Sequence, residues 1–180
     1  KIKASYPEIF ARCQETFSCF IHTPDPRSAL EVSAEEREAQ YERLYGEPGF
    51  GIWQGNFRDI TIDREANATI SDFVARKIRQ RVKNPKTAEK LIPKNHGFGT
   101  RRLPLETFYY EAYNRDNVEL IDITETPIER ITPKGIKTSE KEFEFDIIIY
   151  ATGFDAITGS FDKIDLRGAG MWFTTIRCAC

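Results

Sequence analysis

Phe145-Asp146-Ile147-Ile148-Ile149-Tyr150, running directly into Ala151-Thr152-Gly153-Phe154-Asp155, is the stretch on which the fold turns. Its first six residues are apolar almost throughout and rich in β-branched side chains. That pattern predicts a strand covered on both faces rather than an alternating, half-solvated one. The small residues Ala151, Thr152 and Gly153 then let the backbone approach a ligand or a neighbouring strand closely. Upstream, Val118 to Ile123, Ile128 to Thr132 and Ile136 to Thr138 also read as strands, and the predicted final strand begins at Phe143. Pro133-Lys134-Gly135 supplies a hairpin turn between the second and third.

Further back the period changes. Ser33-Ala34-Glu35-Glu36 is a capping box, serine at the cap and glutamate three residues on, and predicts a charged helix that reaches Tyr45 and stops at Gly46. Glu47-Pro48-Gly49-Phe50-Gly51 reads as a turn or loop. From Glu65 to Val82, the residues Ile70, Phe73, Val74, Ile78 and Val82 recur at spacings of three and four, so one stripe of a longer helix faces a core. Arg76, Lys77, Arg79, Arg81 and Lys83 fill the other faces and are expected to form a solvated basic surface. Asn84-Pro85 restarts a short helix that ends before Pro93. Leu105 to Tyr113 is predicted as another, its Phe108, Tyr109, Tyr110 and Tyr113 expected to pack together. Helices followed by a meander and a buried strand fit an α/β or an α+β chain.

Composition narrows the functional classes. The 180 residues are 40% hydrophobic and 30% charged with a formal net charge of −2, values of an ordinary globular chain. Acidic and basic residues are interspersed, which gives no nucleic-acid footprint. The apolar runs are only a few residues each, so no membrane span is expected and a cytoplasmic setting is. Cys13, Cys19, Cys178 and Cys180 form no C-x-x-C pair and lie far from His22 and His96, so free thiols are expected and no metal site. The sole methionine is Met171, and Lys1 opens the sequence. An excerpt from a longer chain is therefore expected, with a tail after Gly170 suspected of a shifted reading frame.

Chemistry could sit in two places. In Gly97-Phe98-Gly99-Thr100-Arg101-Arg102-Leu103-Pro104 the glycines free the backbone, and two adjacent guanidinium groups follow, suited to holding phosphates or oxyanions through paired N–H donors. A solvated surface loop is the plain alternative. The other place is Ala151-Thr152-Gly153-Phe154-Asp155. Neither G-x-G-x-x-G nor G-x-x-x-x-G-K-[ST] occurs anywhere, so the sequence shows no phosphate loop of its own.

Taken in order, several strings resemble the central region of Baeyer–Villiger monooxygenases, class B flavoprotein monooxygenases. They are Gly97 to Leu103, Tyr109-Tyr110-Glu111, Asn114-Arg115-Asp116-Asn117-Val118, Pro127 to Ile136, and Ala151 to Gly159. Ser28-Ala29-Leu30-Glu31-Val32 and Arg58-Asp59-Ile60 resemble the family's helical insert, and the likeness runs from about Tyr6 to Gly170. It implies an α/β fold, an incomplete piece of a flavoprotein with two dinucleotide-binding domains. Residues 1–95 would be the helical insert of the NADPH domain, 96–150 its C-terminal part, and 151–180 the crossing into the FAD domain plus an atypical tail.

The implied reaction inserts oxygen from molecular oxygen next to a ketone carbonyl, giving an ester or lactone with FAD and NADPH as cofactors. By the same resemblance Arg102 is the expected catalytic residue, the fixed positive charge beside an anion of oxygen activation. Arg101 is expected on the 2′-phosphate of NADPH, Thr152, Gly153 and Asp155 beside the flavin, and Leu103 at the border of the substrate pocket. Another flavin monooxygenase class, oxidising nitrogen or sulfur, and a non-enzymatic folded module are the competing readings. The isolated 180 residues are expected to be inactive.

Overall fold

The computed structural model describes residues 2–16 and 18–153, together with the short segments 167–168 and 171–172. The chain divides into two compact units, Lys1–Asp122 and Ile123–Cys180.

The first unit is helical. A 3-10 turn at Ile2–Ser5 leads into α1 (Tyr6–Gln14), followed by α2 (Ala34–Gly46), α3 (Gly51–Gln54), α4 (Arg64–Arg81), α5 (Pro85–Leu91) and α6 (Tyr109–Ala112). The helix starts have chemical causes. Ser33 Oγ accepts the Glu36 N–H at 3.1 Å, as the capping box predicts. The Asp63 carboxylate accepts from Glu65 and Ala66, each at 2.9 Å, and so opens α4. Asn84 does the same for Lys86 and Thr87, with Pro85 at the first helical position where a missing N–H costs nothing.

The stripe on α4 is buried as its period predicts: Ile70, Phe73 and Ile78 are core residues, and Val82 follows just past the helix. Tyr41 of α2 meets Phe57 edge-on at 5.9 Å and Phe73 at 5.5 Å. Leu44, Ile52, Ile60 and Phe98 complete that core, while Ile78, Val82 and Ala88 form a smaller one at the far end of α4. Two loop segments that sequence alone could not connect meet at Asp59. Its carboxylate accepts from Ser28 Oγ at 2.5 Å and from the Ala29 N–H at 2.9 Å, which anchors Ser28–Val32 on Arg58–Ile60.

The basic face of α4 is ion-paired rather than simply solvated. Arg76 and Lys77 reach Glu38 and Glu42 of α2 at 2.6 and 2.5 Å, and Arg79 reaches Glu89 of α5 at 2.6 Å. Arg81 departs furthest from the expectation. It is half-buried, holds Glu106 and Glu111 at 2.7 and 2.6 Å, bonds the Tyr45 hydroxyl at 2.9 Å, and lies 4.9 Å from the Tyr110 ring centre. The two carboxylates, Glu111 first, raise its pKa, and Arg81 in turn lowers theirs.

The helix predicted from Leu105 shrinks to Tyr109–Ala112, because Phe108 stands at φ 58° and breaks the helical path before it. The aromatic packing holds for the three tyrosines. Tyr109 meets Tyr110 and Tyr113 edge-on at 5.4 and 5.3 Å, and burial with the bond to Tyr109 pushes the Tyr113 hydroxyl up to about 12. Phe108 itself is exposed.

The second unit contains the meander β1 (Ile128–Thr132), β2 (Gly135–Thr138) and β3 (Glu142–Glu144), antiparallel in that order, and a separate pair, β4 (Arg167–Gly168) with β5 (Met171–Trp172). The Pro133–Lys134 turn sits where the sequence predicts it, and Gly135 is obligatory: a Cβ there would lie 1.9 Å from the Phe143 carbonyl oxygen. Two expected strands do not form. Val118 to Ile123 pairs with no strand, and Ile123 opens a turn. The strand predicted from Phe143 to Tyr150 ends at Glu144, because β2 starts at Gly135, opposite Glu144, and offers nothing to pair with beyond one bond from the Phe145 N–H to the Lys134 carbonyl at 2.9 Å. Its apolar residues are accordingly not covered: Ile147 is 78% and Ile149 83% exposed.

Candidate functional site

The loop Gly97–Pro104 is held against α4 by two polar side chains one helical turn apart. Asn67 donates through Nδ2 to the Phe98 carbonyl at 2.8 Å and to the Ile60 carbonyl at 2.5 Å. Its Oδ1 accepts from Ser71 Oγ at 3.1 Å, and Ser71 Oγ accepts the Phe98 N–H at 3.0 Å. Both backbone polar groups of Phe98 are thus satisfied by α4, while its ring enters the core.

The flanking glycines are required by space and conformation. A Cβ on Gly97 would stand 2.1 Å from Asn67 Oδ1. Gly99 has φ +71° and lies so near Trp53 that a Cβ would meet the indole at 2.8 Å. Thr100 closes the turn by donating its N–H and hydroxyl to the Gly97 carbonyl, at 3.3 and 2.8 Å.

Arg101 and Arg102 follow immediately. They border a cleft of about 210 Å³ whose apolar wall comes from Val74, Ile78, Phe98, Leu103 and Tyr110. Both arginines are exposed, and neither makes an ion pair with a described residue. Among the described residues Arg102 meets the Phe50 ring, its guanidinium carbon 5.7 Å from the ring centre. Two cations with no counter-charge among the described residues, standing beside an apolar recess, suit anionic groups of a ligand.

The structure therefore brings together Arg101, Arg102 and Leu103. Thr152 and Gly153 belong to the second unit, both exposed, with Gly153 at φ +91° and no atom within 4 Å of its would-be Cβ. Asp155 lies outside the described residues. Asn67 and Ser71 escaped the sequence reading, although a signal existed. They sit on the inner side of α4 in line with Val74 and Ile78, and two polar residues four apart on a buried stripe call for a polar partner. Among the described residues there is no group of three potential metal ligands and no helix long and apolar enough to cross a membrane.

No family model matches the chain. It is 54% identical over 167 residues to 2-oxo-Delta(3)-4,5,5-trimethylcyclopentenylacetyl-CoA monooxygenase of Pseudomonas putida, a span of 93% of this chain and 31% of that protein. It is 45% identical over 169 residues to cyclopentanone 1,2-monooxygenase of Comamonas sp. (strain NCIMB 9872) and 42% over 170 residues to a Baeyer-Villiger monooxygenase of Pseudooceanicola batsensis, again 93% of this chain and 31% of each relative. Among solved structures, a crystal structure of OTEMO in complex with FAD and NADP superposes with a TM-score of 0.89 at 54% identity, over 94% of this chain and 32% of that one. These likenesses define the class, flavoprotein monooxygenases. Within that class the chain is similar to a segment of Baeyer–Villiger monooxygenases, and it spans about a third of the length of the relatives it matches.

Proposed function

We propose that this chain is the central segment of an FAD- and NADPH-dependent monooxygenase that inserts one oxygen atom beside a ketone carbonyl, yielding an ester or lactone. The observation that carries the proposal is the Arg101–Arg102 pair, without an ion-pair partner among the described residues and following a clamped turn beside an apolar cleft. Neither phosphate-binding glycine fingerprint occurs in the 180 residues, so the proposal assigns those loops to polypeptide outside them, and the isolated chain to an inactive state.

FAD and NADPH, when bound, supply the oxygen activation and the reducing equivalents. The protein's own part is electrostatic. A guanidinium keeps its charge across the working range of an enzyme, so Arg102 stabilises an oxygen-centred anion without giving up the proton that would quench it. An apolar wall borders the cleft beside it. A preorganised donor of this kind contributes about 3–4 kcal/mol to a transition state, a factor of roughly a hundred to a thousand. Arg101 offers a planar fork matched to a phosphate dianion, the feature that separates NADPH from NADH. Thr152, Gly153 and Asp155 are assigned to the flavin side, where the open positive-φ backbone at Gly153 admits close approach of a ring system.

The test is Arg102→Ala in the full-length enzyme that carries this segment, with cyclopentanone as the probe ketone. Lactone formation is expected to fall at least a hundredfold while reduction of the bound flavin by NADPH persists. Undiminished lactone formation would remove Arg102 from catalysis.

A further inference from the structure

We infer that Asn67 and Ser71 are positioning residues for the arginine pair: α4 fixes the guanidinium groups by holding the backbone of Phe98, and the reading of the loop as a cofactor and reaction site rests on the function proposed above. Arg101 and Arg102 are exposed and make no ion pair with a described residue, so their side chains do not pin the loop. What pins it lies upstream. Phe98 donates its N–H to Ser71 Oγ and gives its carbonyl to Asn67 Nδ2, while its ring is buried in the core.

The two side chains also lock each other. Ser71 Oγ donates to Asn67 Oδ1 at 3.1 Å while accepting from Phe98, and Asn67 Nδ2 is held a second time by the Ile60 carbonyl at 2.5 Å. Asn67 is 9% exposed, so an unsatisfied amide there would find little water. Gly97 completes the fit, since any larger residue would collide with Asn67 Oδ1 at 2.1 Å. From this fixed point the chain passes through Gly99 at φ +71° and the Thr100 turn to Arg101 in three residues, too short a path to add slack. Asn67 and Ser71 thus act through the loop in this assignment, Ser71 from a place on the cleft wall.

Trypsin provides a readout on the 180-residue chain itself, because it cuts after Arg101 and Arg102 only when the loop opens. Ser71→Ala, which removes two hydrogen bonds, is expected to raise nicking at that pair about tenfold, with cleavage at Arg43 in α2 and Lys77 in α4 unchanged. Ser71→Thr, which keeps the hydroxyl, restores the original rate, and Asn67→Ala matches or exceeds the alanine effect. Unchanged nicking, or nicking that rises equally at Arg43 and Lys77, overturns the inference, the second because it signals general unfolding. In the full-length enzyme the ratio of NADP+ to NAD+ dissociation constants is the second readout. Ser71→Ala is expected to move that ratio towards unity in the same sense as Arg101→Ala; if Arg101→Ala moves it and Ser71→Ala does not, positioning is refuted. If Arg101→Ala itself leaves the ratio unmoved, the phosphate role fails while the nicking result still decides the clamp.

Discussion

Gly97→Ala is the substitution whose cost the geometry defines most sharply. The new Cβ would lie 2.1 Å from Asn67 Oδ1 and 2.9 Å from its Cγ, both far inside contact distance. Asn67 cannot swing aside freely, because three hydrogen bonds fix it: to the Ile60 carbonyl, to the Phe98 carbonyl, and from Ser71 Oγ. Relief of the clash breaks two or three of them, at about 1 kcal/mol each, with a further penalty for leaving buried polar groups unpaired. The expected loss is therefore roughly 2–4 kcal/mol, in the range of a disrupted buried network. Urea denaturation followed by far-UV circular dichroism reads it, since the helices belong to the first unit. Gly46→Ala is the internal control. Nothing lies within 4 Å of its would-be Cβ at the end of α2, and alanine there should be neutral or stabilise by up to about 1 kcal/mol. A Gly97→Ala chain within about 0.5 kcal/mol of the parent would refute the clamp geometry.

Other consequences follow from the same packing. Arg81→Met is expected to cost roughly 1–2 kcal/mol at neutral pH, because two carboxylates and the Tyr45 hydroxyl lose their partner. Arg81 depresses Glu106 and Glu111 below their ordinary 4.5, so the parent's advantage is full above that value and fades as pH falls through the lowered ones. Thermal melts at pH 7 and pH 3 check both claims, and an equal gap at the two pH values contradicts the second. Phe108→Asn should leave stability unchanged or raise it by about 0.5–1 kcal/mol, since asparagine tolerates φ near 58° and the ring is 73% exposed. A lowered urea midpoint would count against strain at this position.

What could be read from sequence was what local chemistry dictates. Ser33 with Glu36, Asn84 with Pro85, and the stripe from Ile70 to Val82 each involve residues within a few turns of one another, and all three helices formed as expected. α1 carries no buried residue, although Tyr6, Ile9, Phe10 and Cys13 recur at spacings of three and four, and α3 is a single turn. Val118 to Ile123 and Phe145 to Tyr150 have strand-like composition, but a strand needs a neighbour to receive its hydrogen bonds, and composition cannot name one. The arginine pair was legible because guanidinium chemistry is a property of the residue. The clamp was not, since Asn67 and Phe98 are 31 positions apart and only the fold brings them together.

The distribution of charge along α4 explains why the arginine pair, and not the denser basic run from Arg76 to Lys83, is the cationic feature of the cleft. Arg76, Lys77, Arg79 and Arg81 each face a carboxylate of another segment: Glu38, Glu42, Glu89, and Glu106 with Glu111. Those pairs contribute little stability individually, but they cancel the helix's positive field at short range. Arg101 and Arg102 have no such partner among the described residues and follow a turn whose backbone is held by α4. An anion approaching the cleft therefore meets two charges that no described carboxylate compensates, beside an apolar wall. It follows that Glu89→Gln, which frees Arg79 on the exposed side of α4, should leave the NADP+ dissociation constant of the full-length enzyme unchanged, whereas Arg101→Ala should raise it about tenfold or more. Equal effects from the two substitutions would mean that the general basicity of the helical unit, and not the held pair, attracts the anion.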